Sequence, residues 1–417
     1  MAAHSEALDL FWGELHVGRL HNTQPLRFDY TQEWLANNQA NSLSPQLPLT
    51  QQRHSGDSVL AYFENLLPEG ELRRYIELRH HTTTVFGLLK SIGGDTASGY
   101  TLLPQGETPR PASYRKTDWE AINDFLHNET QGELTGQLAP QARISLAGAQ
   151  TKLLLMVLAD GSPALPEGAA PSSHILKPDI RGLKGVWCSA LNETLCMQLA
   201  AALGVAEATF QPQTRACLVK RYDRFYDEHG NLQRYHQLDI CQLAGTPSTL
   251  KYESDGGPGL IECRQLLQAA GVPAKDLLRF SQWFFFNLFI GNNDSHAKNL
   301  SILQTPQGVQ LAPFYDLMCT TLYSGLSNRF AFRVSGIDQP GSIERSHLAS
   351  LAQALGFKPA YFMSLGARLA DEILSVLPTV IEALQEVATP GTEHVLLERL
   401  SRRIKQNCQK MTKHWSV

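Results

Sequence analysis

Three side chains in the second half of the chain carry the spacing of a phosphoryl-transfer site. Asp294 and Asn299 stand five positions apart in 291–299, Gly-Asn-Asn-Asp-Ser-His-Ala-Lys-Asn, and Asp316 follows 17 residues after Asn299. A loop this short turns one carboxylate toward an acceptor hydroxyl while an amide carbonyl reaches a metal ion behind the γ-phosphate. Asp316, closing Ala-Pro-Phe-Tyr-Asp at 312–316, would supply a second metal oxygen. The apolar runs 300–303 and 309–311, turning at Pro306-Gln307-Gly308, read as the hairpin that returns it. Asp-x4-Asn alone is unspecific, because loop Asp and Asn residues commonly just close turns.

The rest of the layout must therefore be present. Lys177 ends the run His174-Ile175-Leu176, as a strand lysine holding the α/β-phosphates would, and Glu193 opens the next helical pattern where it can pair with that lysine. Taken separately, Lys177 is a solubilising strand-edge charge and Glu193 a carboxylate favoured by the helix dipole. In this order ahead of Asp294, Asn299 and Asp316, the phosphoryl-transfer reading wins. Upstream, 145–152 (Ser-Leu-Ala-Gly-Ala-Gln-Thr-Lys) is rich in small residues before a strand, where backbone N–H groups approach phosphate oxygens. By itself that stretch is an ordinary turn, and it is not a Walker A sequence. Ser295-x-x-Lys298 has the form of a penicillin-binding hydrolase tetrad, but the Ser-Asp-Asn and Lys-Thr-Gly elements such enzymes need are missing.

The elements that must position these residues follow from periodicity. Leu8, Leu10 and Trp12 alternate, Gly13-Glu14 turns, and Leu15 and Val17 alternate again: a β-hairpin. Phe28 and Tyr30 suggest another strand, 100–103 a further one, and Phe63, Leu66 and Leu67 a helix stopped by Pro68-Glu69-Gly70. Strands are expected over 152–158, 175–177 and 217–219, with 160–173 as a Pro/Gly/Ala/Ser-rich loop. A helix over 192–203 ends at Gly204. After about residue 240 the pattern is mostly helical. The stretch 277–290 is apolar around most of a helical wheel, and helices are expected over 345–355, 361–387 and 392 to about 411. With a proline-rich boundary at 104–111, the expected domains are 1–112, a β-rich subdomain, 113–239, a nucleotide lobe, and 240–417, a helical lobe.

Composition sets the outer limits. The 417 residues, 43% hydrophobic and 18% charged, are enough for two or three domains with a sizeable core. A formal net charge of -4 gives no global attraction to nucleic acid or anionic membranes. No window approaches the roughly 18 apolar residues of a membrane span, and the N-terminus lacks the layout of a signal peptide. The seven cysteines are scattered without a Cys-x-x-Cys pair, which points to buried reduced thiols in a cytoplasmic protein and away from structural zinc. Arg399, Arg402, Arg403, Lys405, Lys410 and Lys413 make the last helical pattern basic, a solvated face.

The motifs at 291–299, 143–152, 313–316 and 251–259 (Lys-Tyr-Glu-Ser-Asp-Gly-Gly-Pro-Gly) closely resemble the HipA family of toxin kinases. So do Phe63-x-Asn65-Leu66-Leu67-Pro68 and Asn192-Glu193, and the resemblance covers nearly the whole chain. It implies an α+β, bilobal protein-kinase-like fold related to phosphatidylinositol 3- and 4-kinases, with an N-terminal β-rich subdomain and an all-helical C-terminal lobe. It implies a serine/threonine kinase using ATP and Mg²⁺ to phosphorylate an aminoacyl-tRNA synthetase, typically the glutamyl enzyme, and so cause growth arrest or persistence. The implied partner is a HipB-type helix-turn-helix antitoxin, through which alone DNA would be reached.

Carried over by motif, Asp294 is the proton acceptor, and Asn299 and Asp316 are Mg²⁺ ligands. His296 and Lys298 steady the loop or neutralise developing charge. Ala147, Gly148, Ala149 and Gln150 form the phosphate loop. Lys152, Lys177, Glu193 and Tyr315 belong to the ATP site, with Lys220, Arg221 and Tyr222 as the hinge beside adenine. Ser145 matches the autophosphorylation position, where about -1.5 to -2 of added charge would repel ATP. The sequence departs from the family pattern at the Lys220-Arg221-Tyr222 hinge, at Tyr100 after Gly99, and in lacking a Lys-rich loop over 336–346. A catalytically silent kinase fold acting as a co-repressor, or a small-molecule or lipid kinase, are the alternatives.

Overall fold

The computed structural model describes residues 6–128 and 152–416. The chain divides into two compact units. The first comprises Met1–Leu176, Arg221–Thr249 and Leu303–Gln307; the second comprises Lys177–Lys220, Leu250–Ile302 and Gly308–Val417.

In the first unit, five strands form an antiparallel sheet: β1 (Ala7–Trp12), β2 (Leu15–His21), β3 (Arg27–Tyr30), β4 (Arg53–Ser55) and β5 (Thr101–Pro104), ordered β4-β3-β2-β1-β5. The alternation that suggests the hairpin sets its register, Leu8 opposite Leu20 and Leu10 opposite Gly18. Leu8, Leu10, Leu20, Phe28 and Tyr30 are buried. At Gly18 an added Cβ would lie 2.6 Å from the Asp29 carbonyl oxygen, so the neighbouring strand needs glycine there. A second run of strands, β6 (Ser113–Lys116), β7 (Leu153–Val157), β8 (Pro163–Glu167) and β9 (His174–Lys177), is ordered β9-β7-β8-β6.

Two features of this unit differ from the expectation. Residues Pro163–Glu167 are a strand inside the stretch expected to be a loop. Its prolines conceal the pattern, yet Pro163 opens the strand, a position where a missing N–H is tolerated. The unit also holds the helices Gly70–His80 and Val85–Ile92 among its strands. The first has no continuous apolar stripe, so periodicity does not reveal it.

The floor of this unit is ionic. Asp95, fully buried, accepts from Arg224 at 2.7 Å, from Arg221 at 3.3 Å, from Arg234 at 3.2 Å and from the Ser172 hydroxyl at 2.7 Å. Asp223 accepts from both Arg221 (2.7 Å) and Arg224 (2.8 Å). Burial would raise the Asp95 pKa, but the three guanidinium groups outweigh it and hold the carboxyl well below its ordinary range.

The second unit is mainly helical, with the strand pair β10 (Ala208–Gln211) and β11 (Ala216–Lys220). Its centre is Ala274–Ile290, whose Trp283, Phe284, Phe285, Phe286 and Phe289 are all buried, as the all-round apolar wheel implies. Helices Arg345–Ala354, Pro359–Val387 and Thr392–Ser416 match the expected spans closely. Gly366 lets the second of them close on Phe285, 2.8 Å from where a Cβ would be. The six basic residues of the last helix are exposed. No described helix is long and apolar enough to cross a membrane. None of the seven cysteines forms a disulfide, and six of them are buried.

Replacing Asp95 by Ala removes the shared acceptor of two buried arginines, Arg221 and Arg224, and of the half-buried Arg234. The expected cost is about 3–5 kcal/mol, read as a lowered midpoint in urea denaturation, with Asp95→Asn recovering only a minor part.

Candidate functional site

The site grows from the end of the aromatic helix. Gly291 terminates it with φ +75°, and Asn292 N–H returns to the Asn287 carbonyl oxygen at 2.8 Å. A side chain is excluded at Gly291 on two grounds. The left-handed backbone disfavours it, and a Cβ would fall 2.3 Å from Thr321 Oγ1. The loop that follows is tied at several points. Asp294 N–H donates to Asn292 Oδ1 (3.2 Å), and Asn299 Nδ2 donates to the Asp294 carbonyl oxygen (2.9 Å). Asn293 N–H donates to Thr320 Oγ1 (2.8 Å), and Ala297 N–H to the Lys251 carbonyl oxygen (3.1 Å). A single 3-10 turn, Ala297–Asn299, then leads into strand Ser301–Thr305.

Strands Ser301–Thr305 and Gly308–Leu311 flank the expected turn, and Ala312 N–H donates to the Ser301 carbonyl oxygen (2.9 Å), bringing the chain back. Tyr315 closes the return: its hydroxyl donates to the Lys298 carbonyl oxygen (2.5 Å) and lies 2.6 Å from Ser301 Oγ. Asp316 follows with φ +57°, a left-handed conformation uncommon for a residue bearing a side chain. Asn292 Nδ2 reaches its carbonyl oxygen at 3.4 Å.

Lys177 is the electrostatic centre. Its Nζ lies 2.5 Å from Glu193 Oε1 and 2.6 Å from Asp316 Oδ1. Lys177 and Glu193 are buried, whereas the Asp316 side chain is 43% exposed, so one partner is internal and the other faces solvent. Burial would lower the lysine pKa, but the Asp316 and Glu193 carboxylates outweigh it and raise it.

Glu193 is held by helix Ser189–Ala202, whose first turn is capped by Asp179 Oδ1 accepting from Ala190 N–H at 2.8 Å. The neighbouring Asn192 bridges to the segment after Asp316. It accepts from Cys319 N–H (2.9 Å), and its Nδ2 donates to the Cys319 carbonyl oxygen (3.1 Å) and to Tyr323 Oη (3.1 Å).

Lys177, Glu193 and Asp316 are thus brought together, as are Asp294, His296, Lys298, Asn299 and Tyr315. Among the expected hinge residues, Lys220 is exposed and pairs with Glu207 at 2.7 Å. Arg221 and Tyr222 fall in the first unit, as does Lys152. The Arg221 guanidinium is spent on Asp95, Asp223, Ser172 and the Thr96 carbonyl oxygen, and its backbone N–H donates to the Ser173 carbonyl oxygen at 2.9 Å. Ser145, Ala147, Gly148, Ala149 and Gln150 lie outside the described residues.

Two contributors lie in motifs quoted above but receive no role from the sequence. Asn192 stands in the first turn of helix Ser189–Ala202 and is buried. Tyr252, in 251–259, donates its hydroxyl to Asp294 Oδ1 at 2.5 Å.

His296 is buried, with Nδ1 lacking a hydrogen-bond partner among the described residues. Burial, helped by the Lys251 ammonium, pushes its imidazole down to about 3. Burial therefore favours the uncharged form of the ring. The donor types suit a hard cation: Asn299 commits its amide nitrogen to Asp294 and keeps its amide oxygen, and Asp316 supplies a carboxylate.

With this geometry in hand, known proteins give the context. The family model for the HipA N-terminal domain matches residues 8–98, and that for the HipA-like C-terminal domain matches 144–389. The chain belongs to the HipA family. It is 36% identical over 346 residues to the putative kinase Y4mE of Sinorhizobium fredii, covering 78% of this chain and 80% of that one. Against the serine/threonine-protein kinase toxin HipA of Shewanella oneidensis it is 29% identical over 400 residues, covering 90% and 89%. The Shewanella HipA solved in a complex with HipB and its operator DNA superposes with a TM-score of 0.84 at 25% identity, over 98% of this chain and 99% of that one. The mixed α+β, kinase-like fold is shared with that HipA family member.

Two outcomes are expected. Gly291→Ala forces both a strained φ and a clash with Thr321, and should lower stability by about 2 kcal/mol or more, measured as a fall in Tm. His296, with a folded pKa below its unfolded 6.5, stabilises the protein fully above that pH. That contribution fades as pH falls from 6.5 toward 3. Urea midpoints measured down to pH 4.5 should fall less steeply for His296→Asn than for the wild type.

Proposed function

We propose that this HipA-family protein is an ATP-dependent serine/threonine-protein kinase toxin in which Asp294 is the catalytic base. What carries the reading is the Lys177 ammonium between buried Glu193 and half-exposed Asp316, in one unit with the tied 291–299 loop. A lysine held charged and immobile in this way is suited to the nucleotide's phosphate oxygens, and Glu193 fixes where it points. Asn299 Oδ1 and the Asp316 carboxylate would hold Mg²⁺. The ion, when bound, offsets charge on the transferring phosphate.

The acceptor's hydroxyl proton passes to an Asp294 carboxylate oxygen as its oxygen bonds the γ-phosphorus and the bond to ADP breaks. Lys298 supplies positive charge near the loop, and Tyr315 fixes the Lys298 backbone. Catalysis of this kind is chiefly positioning and charge stabilisation.

Lys152, residues 147–150 and the hinge at Lys220, Arg221 and Tyr222 complete the ATP site in this reading, with Ser145 as the autophosphorylation position. The division at 1–112, 113–239 and 240–417 and the kinship to phosphatidylinositol 3- and 4-kinases belong to the same proposal. The physiological acceptor is an aminoacyl-tRNA synthetase, the glutamyl enzyme first, in the cytoplasm, so that growth arrest and persistence follow. A HipB-like antitoxin is the partner, supported by the composition of the Shewanella complex, and DNA is reached through it.

Dephosphorylated full-length protein with Mg²⁺ and γ-labelled ATP is expected to transfer label to itself at Ser145 and to glutamyl-tRNA synthetase. Asp294→Gln and Asp316→Gln should each reduce transfer by about 10³-fold or more. Wild-type protein that labels neither acceptor would sink the kinase reading.

A further inference from the structure

We infer that Tyr252 is a positioning residue for the Asp294 carboxylate, setting through its phenol O–H which way the base faces. The inference rests on the kinase reading of Asp294. The Tyr252 hydroxyl donates to Asp294 Oδ1 at 2.5 Å, and a carboxylate that serves as a base is an ionised acceptor, to which such a bond is charge-assisted.

Both ends of this bond are braced. On the base side, the Asp294 backbone is pinned at its N–H by Asn292 Oδ1 and at its carbonyl oxygen by Asn299 Nδ2. Rotation of the carboxyl group is then the freedom that matters, and Tyr252 acts on it.

On the tyrosine side, the backbone belongs to a tight structure. The Tyr252 carbonyl oxygen accepts from Asp255 N–H (3.1 Å) and Gly257 N–H (2.9 Å). Gly257 lies so close to the Leu250 carbonyl oxygen that a Cβ would stand 2.0 Å from it. The preceding Lys251 carbonyl oxygen receives the Ala297 N–H of the catalytic loop itself, and Glu253 Oε2 accepts from Arg333 N–H (2.7 Å). The Tyr252 ring stands edge-on to buried His296, with centroids 5.0 Å apart and planes at 86°. Residues 251–259 therefore form a brace whose working end is one hydroxyl on the base.

The consequence is kinetic. A donated hydrogen bond stabilises the ionised carboxylate and directs it; removing the hydroxyl leaves the base present but poorly aimed and more readily protonated.

The test measures label transfer from Mg-ATP to the dephosphorylated full chain and to casein, at varied ATP and pH. For Tyr252→Phe the maximal rate should fall about 10–100-fold. The half-saturating ATP concentration should stay within about twofold and the acid limb of the rate profile should move to higher pH. Tyr252→Leu, which also removes the ring from His296, should lose rate to a similar extent and checks that the hydroxyl is what matters.

If Tyr252→Phe keeps wild-type rate and profile while Asp294→Gln is dead, the positioning role is overturned and the kinase reading stands. A raised ATP requirement at unchanged maximal rate would also overturn it, assigning Tyr252 to nucleotide binding. Wild-type protein without any transfer overturns both.

Discussion

The second unit is organised around one charged nitrogen. Placing Lys177 Nζ in a buried position costs several kcal/mol in lost hydration, and only close, fixed carboxylates offset it. Glu193 and Asp316 do so from very different distances along the chain, 16 and 139 residues downstream. Every neighbouring feature serves to keep those two carboxylates in place. Asp179 caps the helix of Glu193, Asn192 ties that helix to Cys319, and the strand pair with Tyr315 returns Asp316 beside the 291–299 loop. A buried pair of this kind adds little net stability, but it discriminates sharply against any packing that separates the partners.

The first unit uses the same physics for another purpose. Asp95 and Asp223 face three arginines, drawing together segments near 95, 172, 221–224 and 234 that are far apart in the chain. The family's N-terminal match ends at 98, so this cluster joins the end of that region to later residues of the same unit. Gly99 contributes by close approach, since a Cβ there would stand 2.8 Å from His236 Cα. The residue after it, Tyr100, is buried against His236, whose imidazole burial pushes down to about 4.

Gly291 and Asp316 both occupy left-handed backbone conformations, and they bracket the segment that carries Asp294 and Asn299. For Asp316 the cost is of order 1–3 kcal/mol, accepted because the left-handed residue turns the carboxylate onto Lys177.

Much of this was legible in the linear chain. The helix that delivers Gly291, the strand ending in Lys177, the helix bearing Glu193 and the return to Asp316 each follow from local periodicity and turn residues, because each is stabilised by neighbours in sequence. The order of charged residues names the chemistry for the same reason. Three things required tertiary structure. Pro163–Glu167 is a strand only because flanking strands complete its hydrogen bonds. Nothing local to Arg221 shows that Asp95, 126 positions earlier, takes its guanidinium. Tyr252 is an unremarkable aromatic until the loop brings Asp294 within 2.5 Å of its hydroxyl. Local propensity can be read from the chain; the pairing of charges and hydrogen-bond donors across long separations is decided only when folding brings them together and removes the water that would otherwise satisfy them.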